Sequence, residues 1–592
     1  MEGDKPLSTH KAAESEDKRS FVFERPRESD SLLREKKPLL TQNAVELDDN
    51  CTFVLELPES DSLFYEKKNL LQKKGFNTKE QIRITSSSLP DSISASLNEM
   101  LQITRIINLD EVELYFLEDD ASSPVDSYSF RNELASLNSI LRLVENSLCD
   151  CTEMQKNILQ ELRASIAGMI DKLRIENNLE SVILEDHCCD RENRLLQWGV
   201  ENGMTSRLRI AYVEGAGRGA IAREDLNVGD TALEIPTSLI ISDKLVKKSD
   251  MYHILEEKEM SSETMLLLWS MKEKYNANSK FKVYFDTLPE EFLTGLSFGV
   301  DALVLLDETA LLQEIMEAKE HIRNQYEQLV PSLCEEHPDI FPPELFTCEQ
   351  FLWACELWYS NSMKIMFPDG ELRTCLVPVA GFLNHWLYPH ITSYGKVHCT
   401  TNTLKFCLSR ACDEGEECFL SYGNFSSSHL VTFYGFVPKG DNPYDVIPLE
   451  LECDEDNFDE GSQAFNLTHM ARGTWFSNNY EIFHYGLPSP LLDKLRKTQN
   501  PLLHTKVLLQ GSLEYEIEIL EQVHDIFGNM MDNLGEDLDD LSRKEASWDV
   551  KLAIEYKDIL RKIMASITSS CHLGIYQVKD ELSKIMDEDT RG

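Results

Sequence analysis

The feature that most constrains this chain is an interruption. Two stretches that read as short strands and tight turns, one over 208–236 and one over 374–420, are separated by a block of helical periodicity at about 245–366. In the first stretch Leu208, Ile210 and Tyr212 alternate with polar or small residues. The turn Asn227-Val228-Gly229-Asp230 then leads into Thr231-Ala232-Leu233-Glu234-Ile235-Pro236. The block carries one helical segment over 262–275 and a longer one over 307–329, with Leu311, Leu312, Ile315, Met316, Ile322, Tyr326 and Leu329 along one side. A third helix starts near 348, where Thr347 and Gln350 have capping-box spacing and Phe351, Leu352, Cys355, Trp358 and Tyr359 form a bulky apolar face. Leu372 to Val379 resumes as strand. Few β folds tolerate such an insertion, so the chain reads as α+β, with a strand domain over 191–440 opened by a helical insert.

The flanks differ in character. Residues 1–85 mix charges with Ser and Pro and show no sustained period, which predicts a disordered or loosely ordered segment. Over 86–190 the pattern is helical, with Leu159, Leu162, Ile166, Met169, Ile170 and Leu173 at three- and four-residue steps. The part from 441 to 592 is also helical by period, with Tyr515, Ile519, Leu520, Val523 and Ile526 on one face. Its acidic run from Asp454 to Glu460 is no EF-hand, because Asp459 stands where the loop needs Gly.

With 103 acidic against 58 basic residues the net charge is −45, which argues against nucleic acid as a partner and for a basic protein or peptide. No run approaches the roughly 20 apolar residues that span a bilayer. Met1-Glu2-Gly3-Asp4-Lys5 does not open a signal peptide, and the acids among residues 1–30 do not suit a transit peptide. A cytoplasmic or nuclear location is expected. Fifteen cysteines without a secretory signal read as free thiols. No second pair follows Cys149/Cys151 or Cys188/Cys189 at finger spacing, so no metal is assigned.

Three segments carry chemistry. They are Glu214-Gly215-Ala216-Gly217-Arg218-Gly219; Gly381-Phe382-Leu383-Asn384-His385-Trp386; and Phe419-Leu420-Ser421-Tyr422-Gly423, followed by Phe433-Tyr434-Gly435-Phe436. All three lie in stretches that read as short strands and turns. The glycines do not make a dinucleotide site, which needs its Gly-rich loop to open a helix, whereas this one opens another strand.

In this order, and around this insert, the segments resemble the SET-domain protein methyltransferases of the Rubisco large-subunit methyltransferase-like group over about 192–440. The resemblance implies a SET-type β-fold with a pseudoknot and a large helical insert. It also implies an N-terminal helical extension over 86–190 and a substrate-binding-like helical domain over 441–592. Its cofactor is S-adenosyl-L-methionine, held by Glu214, Gly215, Ala216, Asn384 and His385. Tyr422 matches the catalytic tyrosine, and Tyr434 and Phe436 match the lining of the substrate channel. Asn361 stands where the group often has an Arg at the cofactor, with Lys364 one turn later. Trp386 stands where a small residue is common.

The activity so implied is S-adenosylmethionine-dependent methylation of a lysine in a non-histone protein. A histidine acceptor is the alternative, and a SET-fold binding or scaffold protein with weak turnover is the reading from another class. Methyl transfer from a sulfonium is an in-line displacement, so the protein mainly orients the reactants. A lysine must lose its proton first, at about 4.6 kcal/mol near pH 7, unless a narrow apolar channel lowers its pKa. A histidine acceptor is already neutral.

Overall fold

The structure is a computed structural model that describes residues 50–84, 90–117, 128–148, 151–176, 181–185, 189–392, 394–449, 469–499, 510–535 and 540–589. An N-terminal lobe begins with strands β1 (Cys51–Glu56) and β2 (Lys79–Ile84), paired antiparallel around helix α1 (Phe64–Lys73). Cys51, Phe53 and Leu55 point inward while Thr52, Val54 and Glu56 face out. Residues 50–84 are therefore ordered, contrary to the expectation for that stretch. Two strands of six residues each are too short to show a period amid so many charges. Residues 1–49 lie outside the described part.

Helices α2 (Pro90–Ile107), α3 (Glu111–Tyr115), α4 (Phe130–Leu148) and α5 (Glu153–Glu176) complete this lobe. The stripe read on α5 is its buried face: Leu159, Leu162, Ile166 and Ile170 pack with Leu134, Leu137, Ile140, Leu141 and Val144 of α4. Each such side chain contributes about 1.5–3 kcal/mol on burial. The core extends into the strand domain, because Tyr388 is part of it and Trp386 and Val228 pack against it.

The strand domain contains β3 (Ile183–Glu185), α6 (Asp190–Glu201), β4 (Thr205–Ser206), β5 (Leu208–Val213), β6 (Gly217–Ala222) and β7 (Thr231–Pro236). The insert follows as α7 (Asp243–Val246), α8 (Tyr252–Glu257), α9 (Ser262–Glu273), α10 (Lys282–Phe285), α11 (Val300–Leu305), α12 (Ala310–Glu336) and α13 (Cys348–Asn361). Strands then return as β8 (Ser362–Met366), β9 (Leu372–Leu376), β10 (Val397–His398) and β11 (Thr403–Cys407), followed by α14 (Ser427–Tyr434). The sheets run β3-β5-β6, β10-β11-β7-β4 and β8-β9, so strands from both sides of the insert pair with one another. One core joins the sheets to the insert, with Leu267, Trp269, Phe351 and Trp358 beside Ile235, Leu376 and Phe406.

Phe433 and Tyr434, expected among strands and turns, form the end of α14 instead. The Ser426 side chain accepts the His429 N–H at the start of that helix, and Gly435 closes it in the left-handed conformation at φ +77°. A short apolar run does not distinguish helix from strand by itself.

The C-terminal lobe comprises β12 (Ile447–Leu449), β13 (His469–Ala471), α15 (Ser489–Gln499), α16 (Gln510–Asn533), α17 (Asp540–Glu545) and α18 (Trp548–Asp589). Ile519, Leu520 and Val523 of α16 share a core with Ile563, Ile567, Cys571 and Val578 of α18. The start of α18 reaches the strand domain, where Leu552, Ala553 and Tyr556 pack with Ala302, Leu311, Ile315 and Val431. The acidic residues at 454–460 lie outside the described part. The two outer lobes touch: Met470 N–H donates to the Tyr115 hydroxyl at 3.0 Å, and the Arg472 guanidinium lies 4.1 Å from the Phe116 ring centre. Among the described residues no helix is long and apolar enough to cross a membrane.

Candidate active site

The Gly-rich segment is the turn of the β5–β6 hairpin, in which Val213 pairs with Gly217. Gly215 and Gly217 take φ +77° and +70°, which glycine adopts at little cost. A Cβ added at either would meet nothing within 4 Å. Glu214, Gly215 and Ala216 are exposed, and the Glu214 N–H is held by the Val182 carbonyl at 2.9 Å.

The second segment is fastened to this hairpin by Asn384. Its amide nitrogen donates to the Arg218 carbonyl at 2.9 Å and to Glu417 Oε1 at 2.8 Å. Glu417, 4% exposed, also accepts from the Ser181 hydroxyl and lies against Gly219, where a side chain would collide with it. The third segment threads between the other two. Cys418 N–H donates to the Ala220 carbonyl at 2.7 Å on one side, and Leu420 N–H donates to the Asn384 carbonyl at 2.8 Å on the other. This is the crossing expected of a pseudoknot.

His385 and Tyr422 are locked together. His385 Nδ1 accepts the Tyr422 backbone N–H at 3.1 Å, which leaves the ring proton on Nε2. That Nε2 is buried with no hydrogen-bond partner, and the ring packs at 5.3 Å on Tyr422 and at 6.2 Å on Phe436. Burial pushes the imidazole down to about 4, so it is neutral at physiological pH. The Tyr422 hydroxyl donates to the Leu383 carbonyl at 2.9 Å. Burial, reinforced by neighbouring Tyr434, raises its pKa well above the usual value, so it stays a phenol and is no general base. With its proton committed to Leu383, its oxygen keeps lone pairs for polarised C–H groups.

Tyr434 stacks on Tyr422 at 5.1 Å, and Phe436 stands edge-on to both, at 6.4 Å and 6.5 Å. The insert sets this wall, because α14 packs on α12 and α13. A Cβ at Gly435 would overlap the Leu293 carbonyl oxygen, so only glycine lets the chain turn there. The buried Glu356 of α13 accepts from Thr294 and Ser297 at 2.6 Å and 2.7 Å, bracing the same turn.

Asn361 ends α13 beside the second segment. Its Oδ1 lies 3.1 Å from where a Gly381 side chain would begin, and its nitrogen donates to Ser360 Oγ at 2.7 Å. Lys364 does not turn toward that place; its ammonium donates to Thr374 Oγ1 at 2.7 Å. Trp386 lies between the site and the N-terminal lobe, and its indole nitrogen is buried without a partner.

Two features escaped the sequence reading. Glu417 joins the segments, and at the end of the acidic run Asp413-Glu414-Gly415-Glu416-Glu417 no sequence signal set it apart. His390, Cys412 and Cys418 place their donor atoms within 4.8 Å of one another. They do not form a free metal-ligand set, because His390 Nδ1 already accepts the Phe419 N–H at 3.0 Å and Nε2 lies 3.0 Å from Glu416 Oε1. Buried Arg410 meets the same carboxylate at 3.4 Å. The group braces the threaded strand.

The open glycine turn, the oriented Asn384 and the unmet donor of His385 fit a ligand that carries hydrogen-bond acceptors. The aromatic wall beside Tyr422 fits a slender apolar chain ending at the tyrosine oxygen.

Comparison with known proteins agrees with this geometry. A family model described as Rubisco LSMT substrate-binding matches residues 58–161, in the N-terminal lobe. The actin-histidine N-methyltransferase of Gallus gallus is 24% identical over 294 residues, 48% of this chain and 49% of that protein. The ribulose-1,5 bisphosphate carboxylase/oxygenase large subunit N-methyltransferase of Pisum sativum is 24% identical over 316 residues, 51% of this chain and 62% of that protein. The chain thus spans less than two thirds of the length of these curated relatives. A crystal structure of the SET domain of LSMT bound to methyllysine and AdoHcy superposes with a TM-score of 0.51 at 19% identity, covering 66% of this chain and 94% of that one. The chain therefore has the SET fold, and it resembles the Rubisco large-subunit methyltransferase-like group.

Proposed function

We propose that the protein is an S-adenosylmethionine-dependent protein N-methyltransferase acting on a lysine of a non-histone protein. The observation that carries this reading is the convergence on Tyr422: a half-buried tyrosine whose phenol proton is committed to Leu383, walled by Tyr434 and Phe436 and tied through His385 to the segment that Asn384 fastens to the glycine turn. Glu214, Gly215, Ala216, Asn384, His385 and Asn361 form the cofactor side. Tyr422 is the catalytic residue, and Tyr434 and Phe436 line the substrate channel. When bound, S-adenosylmethionine supplies an electrophilic methyl group.

What remains for the chain is orientation and desolvation. The aromatic wall strips water from the entering side chain and favours its neutral form, which lowers the cost of about 4.6 kcal/mol for deprotonating a free lysine at pH 7. The Tyr422 oxygen supplies the polar end that aligns the amine. Both curated relatives are methyltransferases by name, one of a histidine. A histidine acceptor is the second reading, supported by a channel of aromatic groups that suits a flat ring.

The family-model match supports substrate docking on the N-terminal lobe. The helical domain over 441–592 touches that lobe at Tyr115 and Phe116, which supports one continuous docking surface. The net charge of −45 favours a basic substrate protein, and a cytoplasmic or nuclear location is part of this reading.

Calorimetry with S-adenosylmethionine and incubation of labelled cofactor with a cell extract test the proposal together. Binding and a labelled protein band are expected, and mass spectrometry of the band names the acceptor residue. Tyr422→Phe should abolish most labelling while leaving cofactor affinity nearly unchanged. A chain that binds no cofactor at high concentration removes the enzyme reading and leaves the binding protein.

A further inference from the structure

The N-terminal lobe meets the site at two places far apart in the chain. On the tyrosine side, Asp110 caps α3 through Oδ1, which accepts the Glu113 N–H at 2.8 Å. Its other oxygen leaves the lobe: Oδ2 accepts from Asn424 Nδ2 at 2.9 Å and from the Tyr444 hydroxyl at 2.8 Å. Asn424 is two residues beyond Tyr422. Tyr444 is buried and adjoins Asp445, whose carboxylate accepts the Ser427 N–H at 2.6 Å and the Ser427 hydroxyl at 2.7 Å. Asn442 of the same segment donates to the Phe425 carbonyl at 2.9 Å. The loop from Tyr422 to α14 is thus held by the 442–445 segment, and Asp110 ties both to the N-terminal lobe. Arg131 stands 3.4 Å from the Asp110 carboxylate and also meets Glu113, so Asp110 is itself fixed within its lobe.

On the cofactor side the chain leaving α5 passes the glycine turn. Val182 accepts the Glu214 N–H, and Ser181 donates to the buried carboxylate that orients Asn384. Residues 183–185 then add a third strand, β3, to the hairpin that bears the turn.

We propose that the N-terminal lobe, together with the segment that joins it to the strand domain, is a positioning element of the active site, with Asp110 of the lobe holding the Tyr422 loop and Ser181 of the joining segment holding the Asn384–glycine-turn junction. Docking of the lobe brings both halves into register. The proposal deepens the methyltransferase reading and rests on it.

The test uses the full chain. Asn424→Ala with Tyr444→Phe removes both donors to Asp110 from the strand-domain side and leaves the lobe intact. Asp110→Asn keeps an oxygen for the α3 cap and serves if the pair fails to fold. Three quantities are read: the initial rate of labelled-methyl incorporation into the extract protein, the Kd for S-adenosylmethionine, and hydrogen exchange over 420–428.

For the tyrosine-side variants the rate should fall about tenfold or more, as small misplacements near a reacting group do. Kd should stay within about twofold, and amides 422–427 should exchange about tenfold faster. Ser181→Ala should show the reverse split, with Kd raised about fivefold and the rate at saturating cofactor nearly kept. Wild-type rates and exchange in folded tyrosine-side variants overturn the proposal, as does a uniform loss of rate and affinity that follows the melting temperature. A wild-type chain that binds no cofactor removes the methyltransferase reading instead, and the positioning claim then stands or falls on the exchange rates.

Discussion

Glu417 offers the sharpest perturbation of the cofactor side. Its carboxylate is 4% exposed and serves two donors, Asn384 Nδ2 at 2.8 Å and the Ser181 hydroxyl. Hydrogen bonds to a charged acceptor contribute roughly 1.5–3 kcal/mol each, against about 0.5–1.5 for neutral ones. In Glu417→Gln the amide oxygen still serves Asn384, while the new N–H group turns to Ser181, whose hydroxyl also accepts. Both bonds survive without their charge, a loss of about 2 kcal/mol in total. Glu417→Ala removes the acceptor altogether and opens a void against Gly219, which raises the loss to about 4 kcal/mol. If this energy is spent in releasing Asn384 from the glycine turn, the Kd for S-adenosylmethionine rises by up to about 30-fold in Gln, since 1.4 kcal/mol is tenfold. Ala should bind more weakly still. Isothermal calorimetry on variants checked for a native circular-dichroism spectrum measures the series. Wild-type affinity in Glu417→Ala would refute the assignment of Glu417 as the joint between the segments.

Three further outcomes are expected. Gly435→Ala must place a Cβ on the Leu293 carbonyl oxygen at φ +77°, so a loss of about 3 kcal/mol or more, or failure to give soluble protein, should follow; a wild-type melting temperature would contradict the packing described. His385 has a folded value near 4 against about 6.5 unfolded, so its contribution is intact above pH 6.5 and is lost as pH falls toward 4. Urea midpoints should drop over that window and drop less in His385→Phe; parallel curves would exclude His385 as the cause. Glu314 of α12, 3.7 Å from His429, is raised by burial to about 7, so its contribution is present below pH 4.5 and is lost as pH rises through 7. After discounting for its partly exposed carboxylate, Glu314→Gln should stabilise the protein by about 1–2 kcal/mol at pH 8 and little at pH 4; equal melting temperatures at both pH values would count against it.

Local patterns carried much of the reading. The alternation at Leu208, Ile210 and Tyr212 and the turn glycines marked β5 to β7. The steps from Leu311 to Leu329 and the Thr347 cap marked α12 and α13, whose cap bond to the Gln350 N–H is present at 3.3 Å. Those signals depend on neighbours within a turn or a pleat. What escaped depends on partners hundreds of positions away. Nothing near Asp110 announces Asn424 or Tyr444, and nothing near Ser181 announces Glu417. A buried carboxylate looks in sequence like any exposed acid, and in a chain with 103 acidic residues it has no contrast. The short strands β1 and β2 were hidden for a related reason, because three buried side chains on β1 and two on β2 are too few to rise above mixed charge. Phe433 and Tyr434 went to the wrong element because eight residues fit either period.

The third strand of the hairpin sheet bears on how this molecule can be divided. A fragment begun at α6 would look like a natural catalytic unit. It would leave β5 with an unpaired edge and uncover Tyr388, which is 3% exposed only because α5 and its neighbours cover it. Trp386 and Val228 would lose the same cover. An open strand beside a fresh apolar patch is a template for aggregation. Recombinant work should therefore cut no later than Asn50, since insolubility of a shorter piece would report the cut and not the chemistry.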